Sequence, residues 1–187
     1  MPATPSIEAA VLIPLLDASD GDNAPTHQLV TKDGSHDLHG EIRLLLTMRS
    51  QTVEHHKGQI SFPGGVKDPG DSTLAHTALR ETEEEVGLPR SRIRLIDMLE
   101  PVNTMSSGFL VTPYVGLIAQ AHDLITGEAL LLSPHEIEHP IFAPLSFFFD
   151  HPPGSFMGLP FYDFEGHRIW GATAVMISRF LQRVQKL

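Results

Sequence analysis

Four of the five residues from 81 to 85 are glutamate, and they crowd the end of a segment patterned as a helix. The pattern predicts a helix over residues 74–86. Asp71, Ser72 and Thr73 offer N-caps, and Gly87, followed by Pro89, offers a C′ stop. At about 100° per residue, Ala75, Leu79, Thr82 and Val86 share the expected core face. Glu81 and Glu85 are four residues apart, so their side chains stand over each other, about 5–6 Å apart at Cβ. Glu84 lies beside them, and Arg80, four residues before it, can hold its carboxylate. Glu83 faces elsewhere and reads as solvated. Like charges at this spacing repel, and a helix C-terminus disfavours anions by about 0.3–1 kcal/mol each. A divalent cation reverses both penalties, and an all-oxygen donor set suits Mg²⁺ or Mn²⁺. A solvated, glutamate-rich surface helix is the other reading of the same residues.

The rest of the composition narrows the partners. The 187 residues predict one domain, 1–187, long enough to bury a core. The formal net charge of −10 disfavours nucleic acid and anionic membrane surfaces, so an anionic substrate needs local cations or a metal. There are no cysteines, which excludes disulfides, thiolate metal sites and cysteine nucleophiles. No apolar run approaches membrane-helix length, and residues 1–10 do not read as a secretory signal, so a cytoplasmic location is expected. His55-His56 reads as a solvated loop pair, because no third ligand is spaced to complete a zinc site.

Apolar runs at 9–16, 42–48, 93–99 and 111–118 predict strands. Residues 17–40 are polar and turn-rich, a variable loop or an excursion hairpin. Residues 50–70 and 101–108 read as loops, 134–139 as an acidic turn or helix start, and 154–164 as turn-rich. Residues 169–187 predict a closing helix, with 185–187 as an ordinary helix end and Trp170 as a core anchor. The interleaving implies an α+β fold: a mixed sheet with helices packed on it.

The loop before the acidic helix carries Ser61-Phe62-Pro63-Gly64-Gly65. A Gly-Gly pair lets backbone approach a ligand closely, although after proline it is commonly just a turn. The combination with the helix is more specific. Gly65-x5-Asp71-x8-Arg80-Glu81-Thr82-x-Glu84-Glu85-x-Gly87-Leu88 resembles the Nudix box of the Nudix hydrolases. It departs by an aspartate at 71, one extra residue before Arg80, and Thr82 at an aliphatic position. Leu45-Leu46-Thr47-Met48-Arg49-Ser50, then Gly58 and Phe62-Pro63-Gly64-Gly65, resembles the motif of the coenzyme A diphosphatase branch, with Glu54 where that branch has a second arginine. Residues 108–113 and Ile169-Trp170-Gly171-Ala172-Thr173-Ala174 also look like this branch.

The resemblance implies an α/β/α sandwich around a mixed sheet. It also implies Mg²⁺- or Mn²⁺-dependent hydrolysis of a phosphoanhydride, with coenzyme A giving 3′,5′-ADP and 4′-phosphopantetheine. It assigns the metal to Glu81, Glu85 and Glu84 with a backbone carbonyl near Gly65, and makes Arg80 the residue that orients Glu84. Arg49, Lys57, Gly58, Phe62 and Gly64 become substrate-side residues, and Glu84, Glu136 and His139 become candidate general bases. The expected partner is a small-molecule nucleotide, with a homodimer allowed. Two other readings stand beside this one: a Nudix hydrolase for ADP-ribose, a dinucleotide or a nucleoside triphosphate, and a non-catalytic nucleotide-binding module, against which the retained glutamates argue.

Overall fold

A computed structural model describes residues 7–19, 25–50, 58–104, 108–126 and 128–186. The chain runs β1 (Ile7–Asp17), β2 (Pro25–Thr31), β3 (Gly34–His39), β4 (Ile42–Arg49), β5 (Ile60–Ser61) and β6 (Gly64–Val66) into α1 (Leu74–Val86). After a 3-10 turn come β7 (Arg94–Met98), β8 (Val102–Asn103), β9 (Phe109–Ile118), α2 (His122–Ile125), β10 (Ile137–Pro144) and α3 (Leu145–Asp150). The chain continues through β11 (Gly154–Phe156), β12 (Leu159–Phe164), β13 (His167–Ile169), α4 (Gly171–Leu181) and β14 (Val184–Lys186).

The main sheet has the order β10-β4-β1-β9-β7, with the short strands β5, β6 and β8 paired to β4, β1 and β9. It is mixed, since β1 and β9 are parallel from Ile7↔Phe109 to Leu16↔Ile118 and the other ladders are antiparallel. The central β1 is covered on both faces, which is why it reads as an unbroken apolar run rather than an alternating one. Ala9, Ile13 and Leu15 join the large core cluster that includes Ala174, Met176, Ile177 and Phe180 of α4. Ala10 and Leu12 turn the other way, to Ala78 of α1. One strand therefore feeds two cores, and the architecture is helix on sheet on helix.

Several segments differ from the sequence reading. Of the two readings of residues 17–40 the hairpin is the one found, as β2 and β3, but β14 adds an unforeseen third strand beside β2. The closing helix stops at Leu181, so residues 184–186 are strand and not a helix end. The acidic turn at 134–139 passes into strand at Ile137, where β10 begins its ladder with β4. The loop 50–70 contains β5 and β6, and the turn-rich 154–164 contributes β11 and β12 to a small antiparallel sheet with β13.

Candidate active site

Local signals fix α1 at both ends. Thr73 caps the start, its hydroxyl accepting from the His76 N–H at 3.1 Å. Gly87 ends the helix in the left-handed conformation at φ 69°, and its N–H donates to the Glu83 carbonyl. The buried face differs from the predicted one. It consists of Thr77, Ala78, Thr82, Glu85 and Val86, while Ala75 and Leu79 are only half-buried. A glutamate thus occupies a core position. Thr82 tolerates burial because its hydroxyl donates to the Ala78 carbonyl at 2.7 Å.

The Gly-Gly pair explains how a glutamate can be there. β6 pairs with β1 through Ala10↔Gly65 and Val11↔Gly64, which lays the glycine backbone beside α1. Gly64 has φ 152°, and a Cβ there would overlap the Ala10 carbonyl oxygen and the Val11 backbone. A Cβ on Gly65 would come 2.5–2.7 Å from the carboxylate of Glu81. The Gly64 N–H donates to Glu85 Oε2 at 3.1 Å. Glu81 therefore sits in a space that a side chain on Gly65 would fill, and Glu85 is held by the Gly64 N–H.

Electrostatics set these two acids apart. Glu85 is 3% exposed, and burial pushes its carboxyl up to about 8 against the opposing pull of the Gly64 N–H and Arg49. Burial also raises Glu81, with Arg80 opposing. Glu136 adds like charge toward both. Two desolvated acids held over carbonyl-bearing backbone form an oxygen donor set that fits Mg²⁺ or Mn²⁺. Among the described residues no compact group of three or more Asp, Glu or His side chains forms, so Glu84 is not gathered with Glu81 and Glu85 into one cluster.

Arg80 organises the edge of the site. Its guanidinium donates to both oxygens of Asp71 at 3.1 and 2.9 Å, and pairs with Glu81 and Glu84 at 2.9 Å each. It also donates to the Val66 carbonyl at 3.3 Å. Asp71 is buried, and the Arg80 fork holds its carboxyl well below the usual carboxylate range. Glu84 projects outward, its side chain 58% exposed. Glu83, read as solvated, pairs with Arg90 at 2.8 Å.

A cavity of about 560 Å³ opens over this pair. Arg49, at the end of β4, lines it with Nη1 3.8 Å from Glu85 Oε1, and its buried Nε has no hydrogen-bond partner among the described residues. Gly58, at φ 65°, donates its N–H to the Arg49 carbonyl, while the Arg49 N–H donates to Gln59. Phe62 is buried and lines the cavity, as do Gly64, Gly65 and the exposed Glu136. His139 is not brought in: it lies on β10 opposite Met48, with its ring against His167. Lys57, together with Glu54, His55 and His56, lies outside the described residues. Trp170 corrects the sequence reading. It is 51% exposed and lines the cavity instead of anchoring the core. The signal was its place before Gly171 at a helix start, where a short polar cap is the usual choice.

The comparisons with known proteins agree on one family. Residues 35–151 match the NUDIX domain. The chain is 41% identical over 147 residues to an uncharacterized Nudix hydrolase NudL of Photorhabdus laumondii, covering 76% of this chain and 77% of that one. It is 40% identical over 149 residues to the protein of the same name from Yersinia enterocolitica, covering 77% and 75%. Among solved structures it is similar to the NUDIX domain of Shewanella oneidensis NrtR complexed with ADP ribose, with TM-score 0.55, 13% identity and coverage of 96% and 89%. It is also similar to a C. elegans Ap4A hydrolase binary complex, with TM-score 0.51, 18% identity and coverage of 81% and 90%. Both structural matches speak to the fold. Among the described residues no helix is long and apolar enough to cross a membrane.

Proposed function

Since the chain belongs to the Nudix hydrolases, enzymes that act on pyrophosphate bonds, we propose that it cleaves the phosphoanhydride of coenzyme A or its derivatives, releasing 3′,5′-ADP and 4′-phosphopantetheine. The observation that carries the hydrolytic reading is the Glu81–Glu85 pair seated on the Gly64–Gly65 backbone at the wall of the cavity. The choice of coenzyme A is supported by the motif from Leu45 to Gly65, which supplies Arg49 to that wall.

Glu81 and Glu85 would hold Mg²⁺ or Mn²⁺, with backbone near Gly65. When bound, the ion supplies charge neutralisation for the phosphates and a lowered pKa for water. Arg80 positions Glu81 and Glu84 and ties the helix to the buried Asp71. Arg49, on the cavity wall, would donate to phosphate oxygens, which offsets the acidity of the chain. Lys57 is assigned the same task from the sequence motif. A carboxylate takes the proton from the attacking water. Glu136 suits this role better than His139, because it lines the cavity beside Glu81 and Glu85. Glu84, held by Arg80, is the other base candidate.

The experiment is parallel incubation with coenzyme A, ADP-ribose, NADH and dGTP in Mg²⁺ or Mn²⁺, with products resolved by chromatography. The expected result is 3′,5′-ADP from coenzyme A, well above the other turnovers. Turnover of another substrate with coenzyme A untouched would move the specificity and make Glu54→Arg the first substitution to try.

A further inference from the structure

We infer that Trp170 is the platform on which the adenine base of the substrate stacks. The inference deepens the function proposed above and rests on it. Trp170 is the only tryptophan in the chain. It is 51% exposed, and it shares one cavity with Glu81 and Glu85. Burying an indole in the core is among the larger apolar gains available to a chain, and here that gain is forgone.

The backbone beneath the ring is nonetheless fixed. Trp170 stands at the N-cap of α4 with no side-chain capping bond, a place where Ser, Thr, Asp or Asn would stabilise the helix. Gly171 follows at φ 63°, and a Cβ there would meet nothing within 4 Å, so its glycine serves the backbone conformation and not close packing. Two residues on, the Thr173 hydroxyl donates to the Ile60 carbonyl at 3.1 Å, tying the first turn of α4 to β5. An exposed aromatic ring on a clamped backbone, at a site where local helix preference is overruled, is arranged for a ligand and not for the fold.

The chemistry of the cavity lining bears on which part of the substrate meets the ring. Its acidic wall holds Glu81, Glu85 and Glu136, where phosphates and a cation belong. The same cavity also has uncharged, apolar lining, from Phe109, Val111, Val175 and Met176. A neutral, flat, conjugated group matches an exposed indole face, whereas the pantetheine arm is a flexible chain with no face to stack. Asn103 lines the same cavity from β8, and its amide can both donate to and accept from a purine edge. Base–aromatic stacking tolerates any base, so Trp170 supplies grip and Asn103 supplies selectivity.

The test uses the lone tryptophan as its own reporter. Indole fluorescence is followed in EDTA, which stops turnover, while 3′,5′-ADP or 4′-phosphopantetheine is titrated. Saturable quenching by 3′,5′-ADP with no response to 4′-phosphopantetheine is expected. In steady-state assays with Mg²⁺, Trp170→Ala is expected to raise KM for coenzyme A on the order of ten- to a hundredfold with kcat little changed, and Trp170→Phe to recover most of the loss. Melting curves of both variants report whether they fold. A response to 4′-phosphopantetheine alone overturns the inference, since the ring then holds the tail. Hydrolysis of coenzyme A with no quenching and an unchanged KM in Trp170→Ala also overturns it, while leaving the proposed function standing. Quenching by 3′,5′-ADP without hydrolysis of coenzyme A supports the base platform and sinks the coenzyme A reading instead.

Discussion

Gly64 and Gly65 are neighbours, yet an alanine at each should fail for a different reason. At Gly65 the new Cβ would lie 2.5–2.7 Å from the Glu81 carboxylate atoms. Ordinary contact begins near 3.4 Å, so the carboxylate must withdraw by about 1 Å. A displacement of that size in a catalytic group costs about 10²-fold in rate. Stability should barely move, because Gly65 does not have a positive φ and the obstacle is the far end of a flexible side chain. At Gly64 the obstacles are the Ala10 carbonyl oxygen and the Val11 Cα, and φ is 152°. Neither backbone atom can yield without disturbing the pairing of β6 with β1. Strain of this kind costs about 2–3 kcal/mol, or roughly 4–12 °C in Tm for a chain of this length. The assay pairs thermal melting with kcat/KM for coenzyme A and with Mn²⁺ titration by electron paramagnetic resonance. Gly65→Ala should melt within about 2 °C of the parent, bind Mn²⁺ more weakly and lose about 10²-fold in kcat/KM. Full activity and parental Mn²⁺ affinity in Gly65→Ala would refute the claim that bare backbone sets the position of Glu81.

Three further outcomes are expected. Mg²⁺ should raise the Tm of the parent chain and leave that of Glu85→Gln unmoved; stabilisation surviving the substitution would place the cation elsewhere. Asp71→Asn should cost about 2 kcal/mol at pH 7, because Arg80 keeps Glu81 and Glu84 but loses its buried partner. Since Arg80 depresses the Asp71 pKa in the folded state, that stability is present above the ordinary value of 3.8 and is lost as pH falls through the lower folded value. The gap between the parent and Asp71→Asn should therefore be constant from pH 7 to about 5 and close only below 3.8, and a gap that closes between pH 5 and 7 would assign the effect to another group. Gly87→Ala should cost about 1–2 kcal/mol by melting, since it forces a side chain into φ 69° and within 2.6 Å of Leu131 Cβ.

What could be read from the sequence was whatever depends on neighbours along the chain. β1, β4 and β9 announce themselves because strands covered on both faces must be apolar throughout. α1 does so through Thr73 at one end and Gly87 at the other. A hairpin was one reading of residues 17–40, but the addition of β14 to β2 and β3 escaped notice because its evidence is remote. β2 and β3 bury little beyond His27, Leu29 and Leu38, and one partner of β2 arrives more than 150 residues later as Val184–Lys186. The same reason explains the site. Periodicity assigns a helix face by apolarity, so it could name Glu85 as a ligand candidate but not as the residue that α1 buries. That burial depends on Gly64, some twenty residues upstream, whose N–H reaches the carboxylate only once β6 has paired with β1. Asp71 and Arg80 are nine apart, a spacing with no helical meaning, and they meet because the loop folds back over the helix. Trp170 was misread because a core position is the default expectation for an indole. Glu85 inside and Trp170 outside are thus complementary violations of hydrophobic patterning, and one cavity joins them. Where local rules fail in opposite senses within a single pocket, the fold has been made to accommodate a ligand with a charged part and a flat one.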